Sequence, residues 1–274
     1  MANVSHLFLN REKIEKTLKN KFIYLFLDHD GTLAPIAQTP EQAIMPKGTK
    51  ELLRQLSKMP NCKIAIISGR ALKDISKRIG LKNIVYVGNH GFEIKGPKIN
   101  FKSPISIRYR RMLEGIKVKL EKGLSPFQGV IIEDKRFSIS VHYRLVDKKD
   151  IPAVEAEFYS ILFLYEFRNN VQVKPGKMVL EIRPPIPWNK GKVVLWLLGR
   201  RLFAMRNKKM KVLPIYIGDD TTDEDAFESL KDKGMTIFVG KPKKTKARFY
   251  LKNTGEVAQL LEVVNKSLKS NTLW

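Results

Sequence analysis

A run of six apolar residues, 22–27, ends directly at the acidic segment 28–32, which reads DHDGT. An uninterrupted apolar run of this length is typical of a strand buried on both faces, as in the centre of a parallel sheet. Parallel sheets bind ligands just beyond the carboxyl ends of such strands. The segment therefore predicts a central strand that delivers two carboxylates to the ligand-binding edge of a sheet.

The same pattern of short apolar runs and amphipathic segments continues along the chain. The predicted strands are 22–27, 63–67, 84–87, 213–217 and 236–239. The predicted helices are 51–59, 71–79, 189–205, 223–230 and 254–268, the last with Thr254 as its expected N-cap. This alternation predicts an α/β fold with a doubly wound, Rossmann-like parallel sheet.

Residues 105–186 break the alternation. Helices are predicted at 105–120 and 151–167, and paired strands are predicted at 130–133, 137–143, 171–174 and 178–182. Strands that pair through hairpins indicate an inserted α+β domain. We therefore expect a core formed by residues 1–104 and 187–274 and an inserted cap domain at 105–186. The stiff proline-rich segment 184–187 would suit a hinge or an exit from the insert.

Two acidic sets follow predicted buried strands. Asp28 and Asp30 follow the first strand, and Asp219, Asp220 and Asp223 follow the strand at 213–217. In one parallel sheet both sets would meet at the same edge, where they would repel one another unless a cation lay between them. Carboxylates with few other ligands suit Mg²⁺. Helix capping is an alternative that explains Asp223 but not Asp28 and Asp30.

The chain is strongly basic, with 51 Lys and Arg against 27 Asp and Glu in 274 residues and a net charge of +24. No acidic residue lies between Glu181 and Asp219, and basic residues cluster at 200–211 and 241–248. Nucleic-acid binding is one interpretation. Solvated faces that steer anionic substrates are the interpretation we favour, because the basic runs lack an aromatic platform or a recognition helix.

Cellular context is predicted from what the sequence contains near its start and from its cysteine usage. The single cysteine, Cys62, allows no intramolecular disulfide, and the first residues do not resemble a signal peptide. We expect a cytoplasmic monomer with a small-molecule partner and with neither a membrane nor a nucleic acid as partner.

Motifs along most of the chain resemble those of the haloacid dehalogenase superfamily and, more closely, of the trehalose-6-phosphate phosphatases. The motifs that carry the resemblance run in order from about residue 21 to 240 and read LDHDGTLAPI, SGR, GNHG, SVHYR, GKMVLEIRP, NKGKV and GDDTTDEDAF. His29 departs from the family, which usually has tyrosine there, and we expect its side chain to point away from the phosphate.

The resemblance implies an aspartyl-phosphate mechanism. Asp28 would be the nucleophile and Asp30 the proton carrier, while Ser68 and Lys190 would bind the phosphoryl oxygens. Mg²⁺ would be held by Asp28, Asp219 and the backbone carbonyl of Asp30, with Asp220 and Asp223 in outer positions. Ser68 as a helix N-cap and Lys190 as a solvated lysine are the structural alternatives.

Substrate recognition is assigned to a further group of residues. Arg70 would contact substrate or pair with a local acid, and the other expected substrate-binding residues are Asn89, His90, Arg144, Lys177 and Glu181. The resemblance implies hydrolysis of trehalose 6-phosphate. Another sugar phosphate, such as a sucrose or glycosyl-glycerate phosphate, and a polyanion-binding protein on a silent phosphatase fold remain as alternatives.

Overall fold

The computed structural model describes residues 4–103, 107–186, 188–206, 210–241 and 244–270. The chain divides into two compact units. The first, called here the core unit, comprises Met1–Phe101 and Trp188–Trp274, and the second, the inserted unit, comprises Lys102–Pro187. The assignment of these units as phosphatase core and cap stays a prediction.

The core unit is built on one large sheet flanked by helices. Its strands are β1 (Ser5–His6), β2 (Lys21–Leu27), β3 (Cys62–Ile67), β4 (Val85–Gly88), β5 (Glu93–Gly96), β6 (Ile99–Lys102), β11 (Lys211–Gly218), β12 (Met235–Val239) and β13 (Phe249–Leu251). Its helices are α1 (Arg11–Leu18), α2 (Lys47–Ser57), α3 (Leu72–Ile79), α6 (Lys190–Ala204), α7 (Glu224–Leu230) and α8 (Thr254–Ser270).

The strand order within the described residues is β1-β13-β12-β11-β2-β3-β4-β5-β6. The strands from β1 to β4 in this order pair in parallel, and β5 joins antiparallel to β4. From β2 the chain moves outward through β3 and β4, and from β11 it moves outward the other way through β12 and β13. The boundary between β2 and β11 is therefore the topological switch point, where doubly wound sheets place their ligands. This architecture confirms the predicted α/β fold class.

Both faces of the sheet are covered because both faces of its central strands are apolar. On one face, α1, α2, α3 and α8 bury residues such as Leu18, Leu53, Ile75 and Leu260 against the odd-numbered residues of β2. On the other, α6 and α7 bury residues such as Val193 and Phe227 against Tyr24 and Phe26. A strand covered on both faces explains why 22–27 carries no polar residue.

The inserted unit has its own sheet and its own apolar cluster. Its helices are α4 (Ile107–Gly123) and α5 (Ile151–Phe167), and its strands are β7 (Ile131–Asp134), β8 (Ile139–His142), β9 (Gln172–Gly176) and β10 (Val179–Arg183). The strands form an antiparallel sheet in the order β7-β8-β10-β9. Residues from both helices and the sheet, including Leu120, Phe158 and Val141, form a separate core.

Several local predictions were wrong or lie outside the described residues. The N-cap of α8 is Asn253, whose Oδ1 accepts the backbone N–H of Glu256 at 3.1 Å. Thr254, the predicted N-cap, is therefore the first residue of the helix. The elements β1, α1 and β13 were not predicted, because they are short or highly charged. The predicted helix start at 105–106, Pro187, and the basic residues Lys208, Lys209 and Lys243 lie outside the described residues.

The N-terminal strand β1, which pairs with β13, also contacts a glutamate on α8. Glu256 Oε2 accepts the backbone N–H of Lys252 at 2.7 Å and lies 2.8 Å from His6 Nε2. Burial works to raise the pKa of Glu256, but the Lys252 N–H and His6 outweigh it and hold that pKa below its usual range.

None of the helices in the described ranges is long and apolar enough to cross a bilayer.

Candidate active site at the sheet edge

Asp28 and Asp219 lie at the switch point, each directly after its strand. The β2–β11 ladder aligns Leu27 with Ile217, and the Asp28 N–H continues it by donating to the Ile217 carbonyl at 2.9 Å. Both carboxylates are buried, with 5% and 3% of their surface exposed. The predicted meeting of the two acidic sets at one sheet edge is thus present in the structure.

Gly31 permits this meeting because it has no side chain. Its φ is +81°, in the left-handed region, and a Cβ there would overlap the carboxylate of Asp219. An alanine would therefore be strained by its backbone and would displace an acid of the site as well.

A third buried acid, Asp223, completes the cluster. Asp28, Asp219 and Asp223 each offer a carboxylate oxygen, and these oxygens lie within 4.8 Å of one another. The buried cation Lys190 contacts two of these three acids, Asp28 and Asp223. The excess negative charge fits a divalent cation, and oxygen ligands of this kind suit Mg²⁺. The cluster differs from the predicted metal set, since it includes Asp223 and leaves out the side chains of Asp30 and Asp220.

Asp223 is positioned to organise the site. Its Oδ1 accepts from Lys190 Nζ at 2.7 Å and from the Tyr216 hydroxyl at 2.6 Å. Its Oδ2 accepts the backbone N–H groups of Asp219 and Asp220 at 3.0 and 2.9 Å. Four donors fill its two oxygens, so Asp28 and Asp219 are the better metal ligands, and Asp223 orients the loop that carries Asp219.

Asp220 is placed differently from the prediction. It is partly exposed and precedes the short 3₁₀ turn Thr221–Asp223, where its Oδ1 accepts the Thr221 N–H at 2.7 Å. Asp220 and Asp223 form a reciprocal capping box across this turn. The capping alternative considered for Asp223 therefore applies to both residues.

Lys190 is buried against the proposed nucleophile, with 3% of its surface exposed. Its Nζ donates to Asp28 Oδ1 at 2.8 Å as well as to Asp223. It is the first residue of α6, and Asn189 caps that helix by accepting the Lys192 N–H at 3.0 Å. The alternative of a solvated lysine is wrong, because the ammonium is enclosed between two carboxylates.

The protonation states follow from this enclosure. Burial raises the pKa of Asp28 well above its usual range, and Lys190 opposes that shift. Burial also works against the charge on Lys190, but Asp223 and Asp28 outweigh it and hold the pKa of Lys190 above its usual range. The lysine therefore stays charged, and it supports the ionised form of the carboxylate that it contacts.

Asp30 points toward a different partner, Arg70. The Arg70 Nε and Nη2 donate to the two oxygens of Asp30 at 2.8 and 2.7 Å, in a two-bond pair. Burial works to raise the pKa of Asp30, but His29 and Arg70 lower it below its usual range. His29 Nδ1 lies 3.2 Å from Asp30 Oδ1, so this unusual residue faces the predicted proton carrier.

The structure shows Arg70 in one of the two roles considered for it, the pairing with local acids. Besides Asp30, it donates to Asp74 Oδ2 at 3.0 Å and to the Pro40 carbonyl at 2.7 Å, and it is 6% exposed. With its donors directed to these groups, Arg70 pairs with local acids in this structure. Its contact with substrate stays a prediction.

Ser68 lies at the same edge, after β3, and is 1% exposed. Its Oγ accepts the Arg70 N–H at 3.1 Å, which leaves the hydroxyl proton available for a ligand. The N-cap position of α3 is Ala71, so the helix-capping alternative for Ser68 is wrong.

The loop after β4 carries Asn89 and His90 in backbone conformations that are rare outside glycine. Their φ angles are +49° and +54°. Asn89 is fully buried, and its amide donates to Glu93 at 3.0 Å, which holds the loop. Its contact with substrate stays a prediction. His90 is 7% exposed, and its backbone N–H donates to the Ser68 carbonyl at 3.0 Å.

The inserted unit brings two of its three predicted residues, Arg144 and Lys177, into contact. Arg144 Nη2 donates to the Lys177 carbonyl at 2.7 Å, and Lys177 begins the turn between β9 and β10. Glu181 is 6% exposed on β10, where its carboxylate accepts from Ser138 at 3.0 Å and from Arg183 at 2.8 Å.

Sequence reasoning missed residues that support the predicted ones. Lys135 Nζ lies 3.4 Å from Glu181 and 3.7 Å from Glu133, in a buried group of charges. Tyr216 and Asp74 were also missed. The signals were a tyrosine inside an apolar strand that ends in acids, and an acid four residues after Arg70, in the first turn of the helix that follows.

Comparison with known proteins places the chain in one family. The family model described as Trehalose-phosphatase matches residues 26–254. "Probable trehalose-phosphate phosphatase D" of Arabidopsis thaliana is 37% identical over 264 residues, covering 92% of this chain and 69% of that protein. "Trehalose-phosphate phosphatase" of Mycobacterium tuberculosis is 34% identical over 254 residues, covering 91% of this chain. The chain spans 63% of the length of that mycobacterial protein.

A solved structure gives the same result. The C-terminal domain of C. albicans trehalose-6-phosphate phosphatase matches with a TM-score of 0.79 and 28% identity, over 97% of this chain and 99% of that one. The motifs that carried the resemblance, among them the acidic segments after β2 and β11, lie at the switch point of the shared fold. By its sequence, its fold and the position of these acids, the chain belongs to the trehalose-phosphatase family.

Proposed function

We propose that this chain is a phosphoric monoester hydrolase that converts trehalose 6-phosphate to trehalose and phosphate. The observation that carries the proposal is the buried contact between Lys190 and Asp28 beside Asp219, at the switch point of a sheet with this family's fold. The names of the relatives supply the substrate, and the site supplies the chemistry.

Asp28 would act as the nucleophile. One carboxylate oxygen forms a bond to phosphorus while the bond from phosphorus to the sugar oxygen breaks, which splits a difficult displacement into two steps. Lys190 holds one oxygen of Asp28 at 2.8 Å and so fixes the orientation of the carboxylate. The capped start of α6 directs its positive end toward the same place, where phosphate charge would gather.

Asp30 would carry the proton. It would give a proton to the departing sugar oxygen and then take one from the water that attacks the phosphoaspartate. That water releases phosphate and restores the Asp28 carboxylate. The pair with Arg70 favours the ionised form of Asp30 and would fix the orientation of the carboxylate that takes the proton from that water.

Ser68 and Lys190 would hold the phosphoryl oxygens during both steps. The Ser68 hydroxyl can donate, since its oxygen already accepts from Arg70, and Lys190 has a third N–H beyond those given to Asp28 and Asp223. Such donors stabilise the charge that spreads over these oxygens in the transition state.

Asp28, Asp219 and the backbone carbonyl of Asp30 would hold Mg²⁺. When bound, Mg²⁺ would reduce the repulsion between the anionic nucleophile and the anionic phosphate. Asp223 would keep Asp219 in place through its bonds to the loop backbone, and Asp220 would support the same turn.

Residues of the inserted unit would select the sugar. Lys177, Arg144 and Glu181 offer donors and an acceptor of the kind that sugar hydroxyls need. Lys135, which the structure adds to this group through Glu181, is the fourth residue that we assign to it. His90 is a core-unit residue that we retain for substrate contact.

The test is phosphate release from trehalose 6-phosphate with Mg²⁺ and with a chelator, beside a panel containing sucrose phosphate and a glycosyl-glycerate phosphate. We expect Mg²⁺-dependent release with a clear preference for trehalose 6-phosphate. If another sugar phosphate in the panel is preferred, that compound is the substrate instead of trehalose 6-phosphate. Similar rates on all of the compounds would refute the assignment of a specific sugar but not the phosphatase chemistry.

The nucleophile is tested with a conservative pair of variants. Asp28→Asn should abolish phosphate release and the acid-stable, hydroxylamine-sensitive label that a phosphoaspartate leaves on the protein. Asp225→Asn, an exposed acid in the neighbouring motif, is the matched control and should retain both. Full activity in Asp28→Asn would show that the covalent mechanism is wrong.

A further inference from the structure

The exposed side of α6, from the middle of the helix to its end, is a surface that the catalytic site does not use. Leu195, Leu202 and Phe203 lie seven and eight residues apart on one stripe of the helix and are 38%, 50% and 69% exposed. Met210, just beyond the helix, is 38% exposed. We call these four residues the α6 apolar patch.

Cations surround the α6 apolar patch. The exposed Arg206 lies over the Phe203 ring, 4.2 Å from its centroid, and Arg200 lies 5.0 Å from the centroid of Trp196. Lys211 is exposed at the start of β11. Among the described residues, neither arginine nor Lys211 has an ion-pair partner. The sequence explains this, because no acid occurs between Glu181 and Asp219.

Like charges accumulate on the adjoining part of the sheet as well. Lys63 lies at the start of β3, and burial together with the charges of Arg201, Lys98 and Arg200 lowers its pKa. Cations that repel one another in this way retain a strong attraction for an external anion. Helix C-termini do favour cations, which accounts for Arg200 and Arg201 but not for Lys63 or Lys98.

The last turn of α6 and the catalytic acids lie at opposite ends of strand β2. Lys190, at the start of α6, contacts Asp28 at the carboxyl end of β2. Arg201, near the end of α6, stacks 3.8 Å over the ring of Phe22 at the amino end of the same strand. A partner bound at the patch would therefore leave the catalytic edge unobstructed within the core unit.

We propose that the α6 apolar patch and its cations dock on an anionic lipid surface. Exposed apolar side chains within a basic ring are the pattern of peripheral membrane binding. A second copy of this chain would bring like charges together, and a nucleic acid would gain little from leucine and methionine side chains. The proposal departs from our sequence-based expectation that no membrane is a partner.

The test uses the full chain and sedimenting vesicles. We expect binding to phosphatidylcholine vesicles that contain about 30 mol% phosphatidylserine, at about 0.1 M salt, and little binding to phosphatidylcholine alone. Arg200→Glu with Arg206→Glu should weaken binding roughly 25-fold or more, since each cation near the surface contributes about a factor of five. Leu202→Ser with Phe203→Ser should weaken it about tenfold or more.

Two double variants in the inserted unit serve as matched controls. Lys148→Glu with Lys149→Glu makes the same change in net charge at exposed positions, and Phe163→Ser with Phe167→Ser removes rings that are 65% and 80% exposed. Both should bind vesicles as the unaltered chain does. Phosphate release should be unchanged in all four variants, which shows that they fold.

Three results would overturn the proposal. The first is equal binding to vesicles with and without phosphatidylserine. The second is unchanged binding by both α6 variants, or an equal loss in the controls. The third is a concentration-dependent dimer, or binding to DNA, that the Leu202→Ser/Phe203→Ser variant loses while vesicle binding persists.

Discussion

Lys190→Met tests how the site tolerates its own charges. The methionine keeps most of the volume of the lysine side chain but removes the ammonium that lies 2.8 Å from Asp28 and 2.7 Å from Asp223. Two buried carboxylates then face each other without a cation, while Asp219 adds a third acid to the same cluster. We expect a large loss of stability together with loss of phosphate release.

The magnitude follows from the burial of the pair. Removing one partner of a buried ion pair costs about 3–5 kcal/mol, because the remaining charge is left without compensation. For a core unit of about 190 residues, an unfolding entropy of about 2 cal/mol/K per residue converts this into a fall in Tm of about 8–12 °C. The loss should shrink at low pH, where the carboxylates become protonated.

The assay is thermal and urea unfolding of the full chain in a chelator, since Mg²⁺ would mask the missing charge. Lys192→Met is the matched control, because Lys192 is an exposed lysine on the same helix, and we expect its Tm to stay within about 1–2 °C of the original. Adding Asp28→Asn to Lys190→Met should recover at least about 1 kcal/mol by removing one of the facing charges.

The reasoning would be refuted if Lys190→Met unfolded at the original temperature in chelator. It would also be refuted if Asp28→Asn made the double variant still less stable. Either result would mean that the carboxylates are neutral or solvated in the folded chain, and that Lys190 does not hold an ionised nucleophile.

Three further changes test other parts of the structure. Gly31→Ala should lower the free energy of unfolding by at least about 1–2 kcal/mol and weaken Mg²⁺ binding. Gly115→Ala, where an added Cβ meets open space, should raise the free energy of unfolding by about 0.5–1 kcal/mol. Equal effects of the two changes in calorimetry would contradict the strain argument. Arg70→Lys cannot keep both hydrogen bonds to Asp30, the proposed proton carrier. We therefore expect kcat to fall about tenfold or more with KM little changed, and an unchanged kcat would show that Arg70 does not position Asp30. Glu256→Gln should lower the free energy of unfolding above about pH 5, and the difference from the original chain should vanish as the pH falls. The reason is that a carboxyl whose pKa is lowered in the folded state contributes stability above its unfolded pKa and loses that contribution on acidification. In urea unfolding, the control Glu262→Gln should show no such pH dependence.

The sequence predicted the parts of the fold that have strong periodic signals. The apolar runs placed β2, β3, β4, β11 and β12, and the switch from alternation to hairpins located the inserted unit. The short β13 and the highly charged α1 have no such signal, because tertiary pairing rather than local pattern defines them.

The sequence predicted where the site residues lie better than it predicted which groups their side chains contact. The sequence indicated that Asp28 and Asp219 would meet, since both follow buried strands. It could not show that Arg70 would turn to Asp30 and Asp74, or that Asn89 would point inward to Glu93, because those choices depend on side-chain directions in three dimensions. Asparagine and histidine adopt the left-handed backbone seen at 89–90 more often than most residues do, but this weak preference did not predict it.

The pairing of β2 with β11 has a consequence for how the protein is made. Lys21 aligns with Lys211, about 190 positions later in the chain, and the whole inserted unit is synthesised between them. Because domains fold as units during synthesis, the inserted unit can be complete while one side of the central strand still lacks its neighbour. Such long-range pairing forms late and slowly. We therefore expect the proposed nucleophile, Asp28, and the proposed metal ligand, Asp219, to come together only near the end of folding. An incomplete chain would then lack a finished site.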